Sequence, residues 1–153
     1  MLLSAYECAP GRGGESGEGW NWARELARFH DVWVVTRGRN REAIERALET
    51  EPLASAHFLY FDLPRWLVLP RSIHHFLWQL GAYVLCRDVH AQVSFETMHH
   101  LSPAGYRLPN FLPLLPVRFL WGADSATDRP AQTASMRLPV RAPEIAGEKV
   151  FGK

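Results

Sequence analysis

A glycine-rich stretch near the amino terminus is the first segment whose composition points to chemistry. Residues 7–23 read ECAPGRGGESGEGWNWA, in which five glycines fall within nine residues and a Trp-Asn-Trp run follows. Ordering glycine costs more backbone entropy than ordering other residues, so such a cluster usually marks a close approach of the backbone. A glycine-rich turn between a strand and a helix can bind phosphate, because its N–H groups and the helix dipole face the anion.

Two phosphate-binding patterns do not fit this stretch. The dinucleotide pattern G-x-G-x-x-G begins with Gly11 and Gly13, but Ser16 stands at its third glycine position. Thr36 and Arg37 stand where an acidic residue is expected at the end of the second strand, and no Gly-Lys-Ser/Thr run marks a Walker loop. From spacing alone, an anion-binding loop and a plain surface turn are equal alternatives.

A histidine pair is the second candidate for chemistry. His99 and His100 lie near the end of a predicted fourth strand, at the carboxyl edge where doubly wound sheets bind their ligands. Neighbouring strand residues point to opposite faces, so at most one of these rings can face a cleft. From the residues alone, a structural role is the favoured interpretation.

No metal centre is expected. His74 and His75 are adjacent on a predicted helix, whereas converging helical ligands need a spacing such as i and i+4, so packing or surface exposure is favoured. Cys8 and Cys86 are far apart and form no C-x-x-C motif. They indicate reduced cytosolic thiols rather than a disulfide or a zinc site. Glu7 precedes the glycine loop, and a cleft-facing and a solvated carboxylate are equal alternatives for it.

Alternating strands and helices must position these residues. Helical periodicity predicts one helix after the glycine loop with Ser16 as N-cap, and a second after Asn40 as N-cap. A third helix is predicted over residues 72–90. Apolar runs predict five strands, at residues 2–6, 32–36, 57–61, 97–101 and 117–121. This alternation predicts an α/β, Rossmann-like doubly wound parallel sheet with helices on both faces.

The stretch over residues 65–80, RWLVLPRSIHHFLWQL, has two interpretations. An apolar stripe recurs at helical spacing in and just beyond it, formed by Ile73, Phe76, Leu77, Leu80 and Val84. A core helix is favoured because this stripe is narrow. The aromatic and basic composition leaves peripheral contact with a membrane surface as the alternative.

Composition limits the class of protein. The chain has 153 residues and a formal net charge of +1, which suits one globular domain and gives no general attraction to nucleic acid. We expect no signal peptide and no spanning helix, because the amino terminus lacks a basic region and the apolar runs are short. Large apolar residues become rare after Gly122. We therefore predict a domain over residues 1–122 and a disordered tail over residues 123–153.

Residues 2–45 closely resemble the amino terminus of glycosyltransferase family 4 enzymes, which have the two-domain GT-B fold. Members typically carry a first strand, a CAP tripeptide, a loop of the form G-S-E-P-G-x-G-W and a tryptophan-bearing helix. Gly14 stands where serine is usual, and Ser16 stands where proline is usual. The likeness continues through DLPRW, LWQLGAY, the histidine pair, YRLP and FLWG, and covers about the first 120 residues.

The resemblance implies transfer of a hexosyl group from a nucleotide-sugar to a saccharide or lipid-linked acceptor, with no separate cofactor. It implies that one of His99 and His100 is catalytic and contacts the acceptor or the transferred sugar. It also implies a loop that lines the cleft between the two domains, near the donor diphosphate and the acceptor. The residues of that loop here are Gly13, Gly14, Glu15, Ser16, Gly17 and Gly19.

The resemblance ends before a second domain, which in the GT-B fold binds the nucleotide-sugar. We therefore expect an incomplete amino-terminal half that is inactive alone. The alternative is a non-catalytic binding or interaction module that retains the half-fold. A cytoplasmic location is expected, with peripheral contact at the inner face of the membrane as the alternative.

Overall fold

The computed structural model describes residues 1–102 and 110–122. Within them, one five-stranded sheet has the order β3-β2-β1-β4-β5, and every neighbouring pair is parallel. The strands are β1 (Leu2–Ala5), β2 (Val32–Arg37), β3 (Ala56–Phe61), β4 (Thr97–Ser102) and β5 (Arg118–Trp121). All five lie where the apolar runs predicted them.

Helices cover both faces of this sheet. They are α1 (Gly14–Leu26), α2 (Arg41–Thr50) and α3 (Arg71–Val93), with short 3-10 turns at Gly38–Asn40 and Leu112–Leu114. Leu3 belongs to a buried cluster with Trp20 of α1 and Ile44 of α2, whereas Leu2 packs in a second cluster with Trp78 of α3. Since neighbouring strand residues point to opposite faces, the two clusters are the two sides of one sheet. The Rossmann-like doubly wound fold is confirmed.

The central strand marks the point where the chain changes direction across the sheet. From β1 the chain adds β2 and β3 on one side, and α3 then carries it back to β4 on the other side of β1. β1 and β4 pair with Leu3 opposite His99 and Ser4 opposite His100. The carboxyl ends of β1 and β4 therefore border the switch point, where open α/β sheets bind ligands.

The start of α1 differs from the prediction. Gly13 is the N-cap and the helix begins at Gly14, so Ser16 lies within the first turn and the prediction that it caps the helix was wrong. Gly14 has a φ of 64°, which an L side chain rarely adopts, and it reverses the chain earlier than the sequence pattern indicated. Asn40 is the N-cap of α2, as predicted, but its side chain donates to the hydroxyl of Thr36 at 2.9 Å.

α3 packs on the core, as predicted, but the prediction that its apolar stripe forms the buried side was wrong, although Leu77 of that stripe is half-buried. Ile73, Phe76, Leu80 and Val84 are exposed. The buried side consists of His75, Trp78, Gln79, Ala82 and Cys86. Apolar residues occur all round this helix, so its periodicity does not decide which side packs on the sheet. The contacts with β3 decide it, because the Trp78 indole Nε1 donates to the Phe61 carbonyl oxygen at 2.8 Å.

Parts of the predicted organisation lie outside the described residues. They are the YRLP motif at residues 106–109 and the tail predicted over residues 123–153, so the division after residue 122 stays a prediction. In the part of the chain that the structure describes, none of the helices combines the length and apolar character needed to cross a membrane.

Candidate functional site

The glycine loop follows β1 and lies at the carboxyl edge of the sheet, as the strand–helix pattern predicted. Two of its glycines are required by close packing of the loop on itself. A Cβ at Gly17 would overlap the carbonyl oxygen of Arg12, and one at Gly19 would overlap that of Glu7. By contrast, a Cβ at Gly13 would have no neighbour within 4 Å, so this glycine faces open space. Close packing therefore explains part of the glycine cluster, and an open, ligand-accessible side remains.

That open side is the amino terminus of α1. Gly13 has no side chain with which to cap the helix, and no side-chain hydrogen bond caps it. Helix-terminal N–H groups without such a cap present a partial positive charge to whatever lies in front of them. A cavity of about 530 Å³ lies here and is called the glycine-loop cavity. Its lining residues are Glu7, Arg12, Gly13, Glu15, Ser16, Arg39 and Arg71.

A second cavity, of about 790 Å³, adjoins the first and is called the arginine cavity. Arg39 lines both of them. The arginine cavity is walled on its polar side by Arg37, Arg39, Arg41, Tyr60, Asp62, Arg65 and His74, and on its apolar side by Leu63, Pro64, Leu67, Val68 and Leu69. Arg37, Arg39 and Arg41 are each paired with a carboxylate, and Arg65 adds a positive charge with no ion pair among the described residues, so the cavity has a modest attraction for anions.

An ion-pair network connects the two cavities. Glu7 is buried and pairs with Arg39, and its carboxylate lies 4.0 Å from Arg37. Arg37 also contacts Asp62 at 3.4 Å and stacks over the Tyr6 ring, 5.0 Å from its centroid. Of the two alternatives for Glu7, the solvated carboxylate is therefore wrong. The network holds Arg37 and Arg39 in place, so their cationic groups are oriented before any ligand arrives.

The protonation states of Tyr6 and His74 at this edge follow from burial. Burial raises the pKa of Tyr6, whereas burial and, to a smaller extent, Arg37 lower the pKa of His74. Both groups are therefore neutral at pH 7, and the Tyr6 hydroxyl and His74 Nδ1 share a hydrogen bond of 3.1 Å. On the other side of the ring, His74 Nε2 lies 3.7 Å from an Asp62 oxygen. His74 thereby serves as an oriented neutral link between the β1 and β3 ends.

Sequence reasoning missed this arginine cluster. By composition alone, residues 37–41 are an ordinary basic cluster that a solvated surface explains. The signal that could have found it is position, since Arg37 is the last residue of β2 and Arg39 follows it at the carboxyl edge. The participation of Asp62 and His74 was not detectable from the pattern, because they are far away along the chain.

The two candidate catalytic histidines lie on opposite faces of the sheet, as strand geometry predicted. His100 is 1% exposed, its Nδ1 lies 3.1 Å from the Ser4 hydroxyl, and its ring contacts Trp121. His99 is 9% exposed and packs edge-to-face on Trp22 with ring centroids 5.0 Å apart. Burial lowers the pKa of His99, so this ring is neutral at pH 7.

Trp22 connects His99 with the glycine loop, although neither histidine lines the glycine-loop cavity. Trp22 lines a further cavity of about 520 Å³ together with Gly13, Gly14 and Gly17. His99 itself lines a cavity of about 650 Å³ that reaches Met1 and other residues at the amino edge of the sheet. His99 therefore lies beside Trp22, which borders the glycine loop, whereas His100 lies on the other face of the sheet. A catalytic role for either histidine stays a prediction.

Cysteines and metal ligands complete the inventory of reactive groups. Cys8 and Cys86 are free, and both are fully buried, in the clusters on opposite faces of the sheet. Burial raises the pKa of each thiol to about 12. Residues 1–102 and 110–122 contain no cluster of three or more His, Cys, Asp or Glu side chains suited to a metal ion.

Comparison with known proteins adds no further assignment. No protein-family model, curated protein or solved structure matches this chain at a significant level. The resemblance to glycosyltransferase family 4 therefore rests on the quoted motifs alone.

Proposed function

We propose that this chain is the acceptor-side half of a GT-B glycosyltransferase of family 4, which transfers a hexosyl group from a nucleotide-sugar to a saccharide or lipid-linked acceptor. One observation carries the proposal. The amino terminus of α1, which no side chain caps, opens at the switch point of the sheet onto a cavity bordered by three arginines and two carboxylates, namely Arg12, Arg39, Arg71, Glu7 and Glu15. The sequence motifs quoted above and the doubly wound fold support the same conclusion.

The chemistry assigns a role to this arrangement. In sugar transfer the bond between the anomeric carbon and a diphosphate oxygen breaks, and an acceptor hydroxyl forms the new bond and releases its proton. Negative charge develops on the departing diphosphate, and oriented amides and cations stabilise it. The N–H groups at the start of α1 and the guanidinium groups of Arg12, Arg39 and Arg71 are suited to this task.

One of His99 and His100 is proposed to position the acceptor or the transferred sugar. His99 lies on the α1 side of the sheet beside Trp22, and His100 lies on the α3 side beside Ser4. The histidine whose conservative replacement by asparagine weakens binding of the acceptor or the nucleotide-sugar to the chain, without changing the melting temperature, is the one that positions it. A loss of melting temperature with both replacements would assign both rings to the core.

The described residues form one Rossmann-like unit and offer one wall of the proposed cleft. Transfer needs donor and acceptor held together in attack geometry, and a one-walled cleft stays wet, which weakens each electrostatic contact. The 153-residue chain assayed alone is therefore expected to bind diphosphate but to transfer little sugar. Robust transfer by the isolated chain would mean that it completes its cleft by self-association.

The second candidate is a non-catalytic module that binds an anionic ligand. It is favoured by the arginine cavity, which provides four arginines without needing a second wall. The two candidates differ in the ligand that they require. A transferase half is expected to discriminate nucleotide-sugars and nucleoside diphosphates from nucleosides, whereas a general anion-binding module would bind inorganic pyrophosphate equally well.

Calorimetric titration tests the proposal. The chain is titrated with uridine, guanosine and adenosine diphosphates, their hexose derivatives, the free nucleosides and inorganic pyrophosphate. Replacing Arg12 or Arg71 with alanine is expected to weaken diphosphate binding about tenfold or more, because each removes a charge-assisted hydrogen bond. Arg28→Ala is the matched control, since Arg28 is exposed and pairs with Glu25 near the end of α1. Absence of diphosphate binding would contradict both candidates.

A further inference from the structure

The side of α3 that faces away from the sheet is apolar. Ile73, Phe76, Leu80 and Val84 recur at spacings of three or four residues and are all exposed, while the opposite side of the helix is buried. In water such a stripe normally lies against another element. Its Phe76 ring contacts the Phe111 ring, with centroids 5.3 Å apart, and the four residues of the stripe are each between 39% and 47% exposed.

The outward side of α3 differs from that of α2 in its charge. The outward side of α2 carries two ion pairs, Arg46 with Glu42 and Arg41 with Glu45. By contrast, α3 has no Asp, Glu, Lys or Arg from residue 72 to residue 86. A surface helix that lacks charge over four turns is expected to have an apolar environment on its outer side.

The loop that leads into α3 extends the apolar surface. Trp66 is 79% exposed and Val68 is 92% exposed, and they stand directly before the first turn of the helix. The backbone N–H of Leu67 donates to the Pro64 carbonyl at 3.0 Å, and that of Val68 donates to the Trp66 carbonyl at 3.1 Å. These turns present the two side chains to solvent, where they cover no part of the core.

The segment that carries this surface has a net positive charge, and the acidic residues at its two ends, Asp62 and Asp88, are paired with Arg37 and Arg87. Residues 63–86 contain no Asp or Glu, although the whole chain has 16, and they contain Arg65 and Arg71. Both arginines are exposed, and neither forms an ion pair within the described residues. Tryptophan and aliphatic side chains flanked by unpaired arginines suit the interface of an anionic bilayer, where rings lie at headgroup level and arginines contact phosphates.

We propose that this surface docks on an anionic lipid bilayer. It is called the α3 outer face and consists of Arg65, Trp66, Val68, Ile73, Phe76, Leu80 and Val84. The helix lies in the plane of the interface with its stripe among the acyl chains, and Arg65 pairs with lipid phosphates. Docking does not depend on sugar transfer, because none of these residues lines the glycine-loop cavity, although Arg65 and Val68 border the adjoining arginine cavity.

Sedimentation with lipid vesicles tests the proposal. The full chain is mixed with vesicles of phosphatidylcholine alone and with vesicles that also contain phosphatidylglycerol. Binding to the anionic vesicles is expected to exceed binding to the neutral ones and to weaken as salt is added, because salt screens the arginines. Equal binding to both compositions, or binding to neither, would overturn the proposal.

Exposed-residue variants identify the surface. The Trp66→Ser, Val68→Ser double variant and the Ile73→Ser, Leu80→Ser double variant are each expected to lose at least tenfold in vesicle affinity. Arg65→Ala is expected to lose about fivefold on anionic vesicles only. Phe29→Ser is the matched control, because Phe29 is 75% exposed and lies beyond the end of α1, and it should bind as the parent chain does.

Light scattering separates a bilayer from the other occupants of an apolar face. The parent chain is expected to be monomeric without lipid, and to stay so in the variants. If the parent chain is a dimer that the Trp66→Ser, Val68→Ser replacement dissociates, the face binds a second copy and the proposal is wrong. If deleting residues 123–153 increases vesicle binding of the parent chain sharply, that segment of the chain covers the face, which also contradicts the proposal.

Discussion

The ring of Phe61, the last residue of β3, packs directly on the backbone of Gly81 in α3. A Cβ atom at position 81 would overlap the ring, and a nearby indole fixes the same strand end, because Trp78 Nε1 donates to the Phe61 carbonyl oxygen at 2.8 Å. This contact presses α3 against the sheet with one particular side inward. It therefore decides which side of an all-round apolar helix becomes the core and which becomes the α3 outer face.

Gly81→Ala is expected to destabilise the protein although alanine is the better helix former. Overpacking against the Phe61 ring costs about 1–3 kcal/mol, and the gain in helix propensity offsets about 1 kcal/mol of it. Unfolding in urea measures the difference. In a Phe61→Ala background the same replacement should become neutral or stabilising. If it is equally harmful there, the close packing of these two residues is refuted.

Gly17→Ala is expected to disturb the glycine loop far more than Gly13→Ala. The first replacement forces a Cβ into the Arg12 carbonyl oxygen, whereas the second meets open space at a φ of −82°. Thermal unfolding should show a loss of about 1–3 kcal/mol for Gly17→Ala and less than about 0.5 kcal/mol for Gly13→Ala. Equal effects would mean that the loop adopts another conformation in solution.

Stability is expected to fall as the pH decreases from about 6.5 towards 4. His75 is 4% exposed and packs on the Tyr6 ring, and burial, His74 and Arg71 lower its pKa to about 4. The unfolded chain binds a proton near pH 6.5 that the folded protein does not bind until about pH 4. The contribution of neutral His75 to the free energy of unfolding is thus complete above about pH 6.5, and it is lost as the pH falls from there towards about 4.

Urea unfolding at several pH values measures this slope. His75 alone contributes at most about 1.4 kcal/mol for each pH unit in the window. His75→Gln should remove that part of the slope, while His30→Gln, a change at an exposed histidine, should leave it unchanged. An unchanged slope in His75→Gln would show that this ring is protonated in the folded protein.

Both cysteines are expected to be unreactive in the folded protein. Cys8 and Cys86 are inaccessible to solvent and burial raises the pKa of each thiol to about 12, so almost no thiolate exists at pH 8. A disulfide reagent should label neither thiol in native buffer and both after unfolding in guanidinium chloride. Rapid labelling of one thiol in native buffer would place it at a mobile part of the structure.

Local sequence determined most of the architecture. Val32, Val34 and Val35 form a β-branched run that suits a strand covered on both faces, and the repeated alternation of such runs with helical periodicity predicted the parallel sheet. The glycine loop and the histidine pair were placed at the ends of β1 and β4, because the carboxyl ends of parallel strands meet at one edge. These features depend on residues that are close together along the chain, so the sequence pattern is enough to predict them.

Only the tertiary structure decided which surfaces face each other. The buried side of α3 depends on Phe61, twenty residues before Gly81, and the arginine cavity forms because Arg37, Asp62 and His74 come from three different elements. The N-cap of α1 is likewise Gly13 and not the predicted Ser16, in a loop that is shaped by the close approach of Arg12 to Gly17. A periodic pattern records that a residue is apolar or charged, whereas packing energy depends on what it meets across the fold.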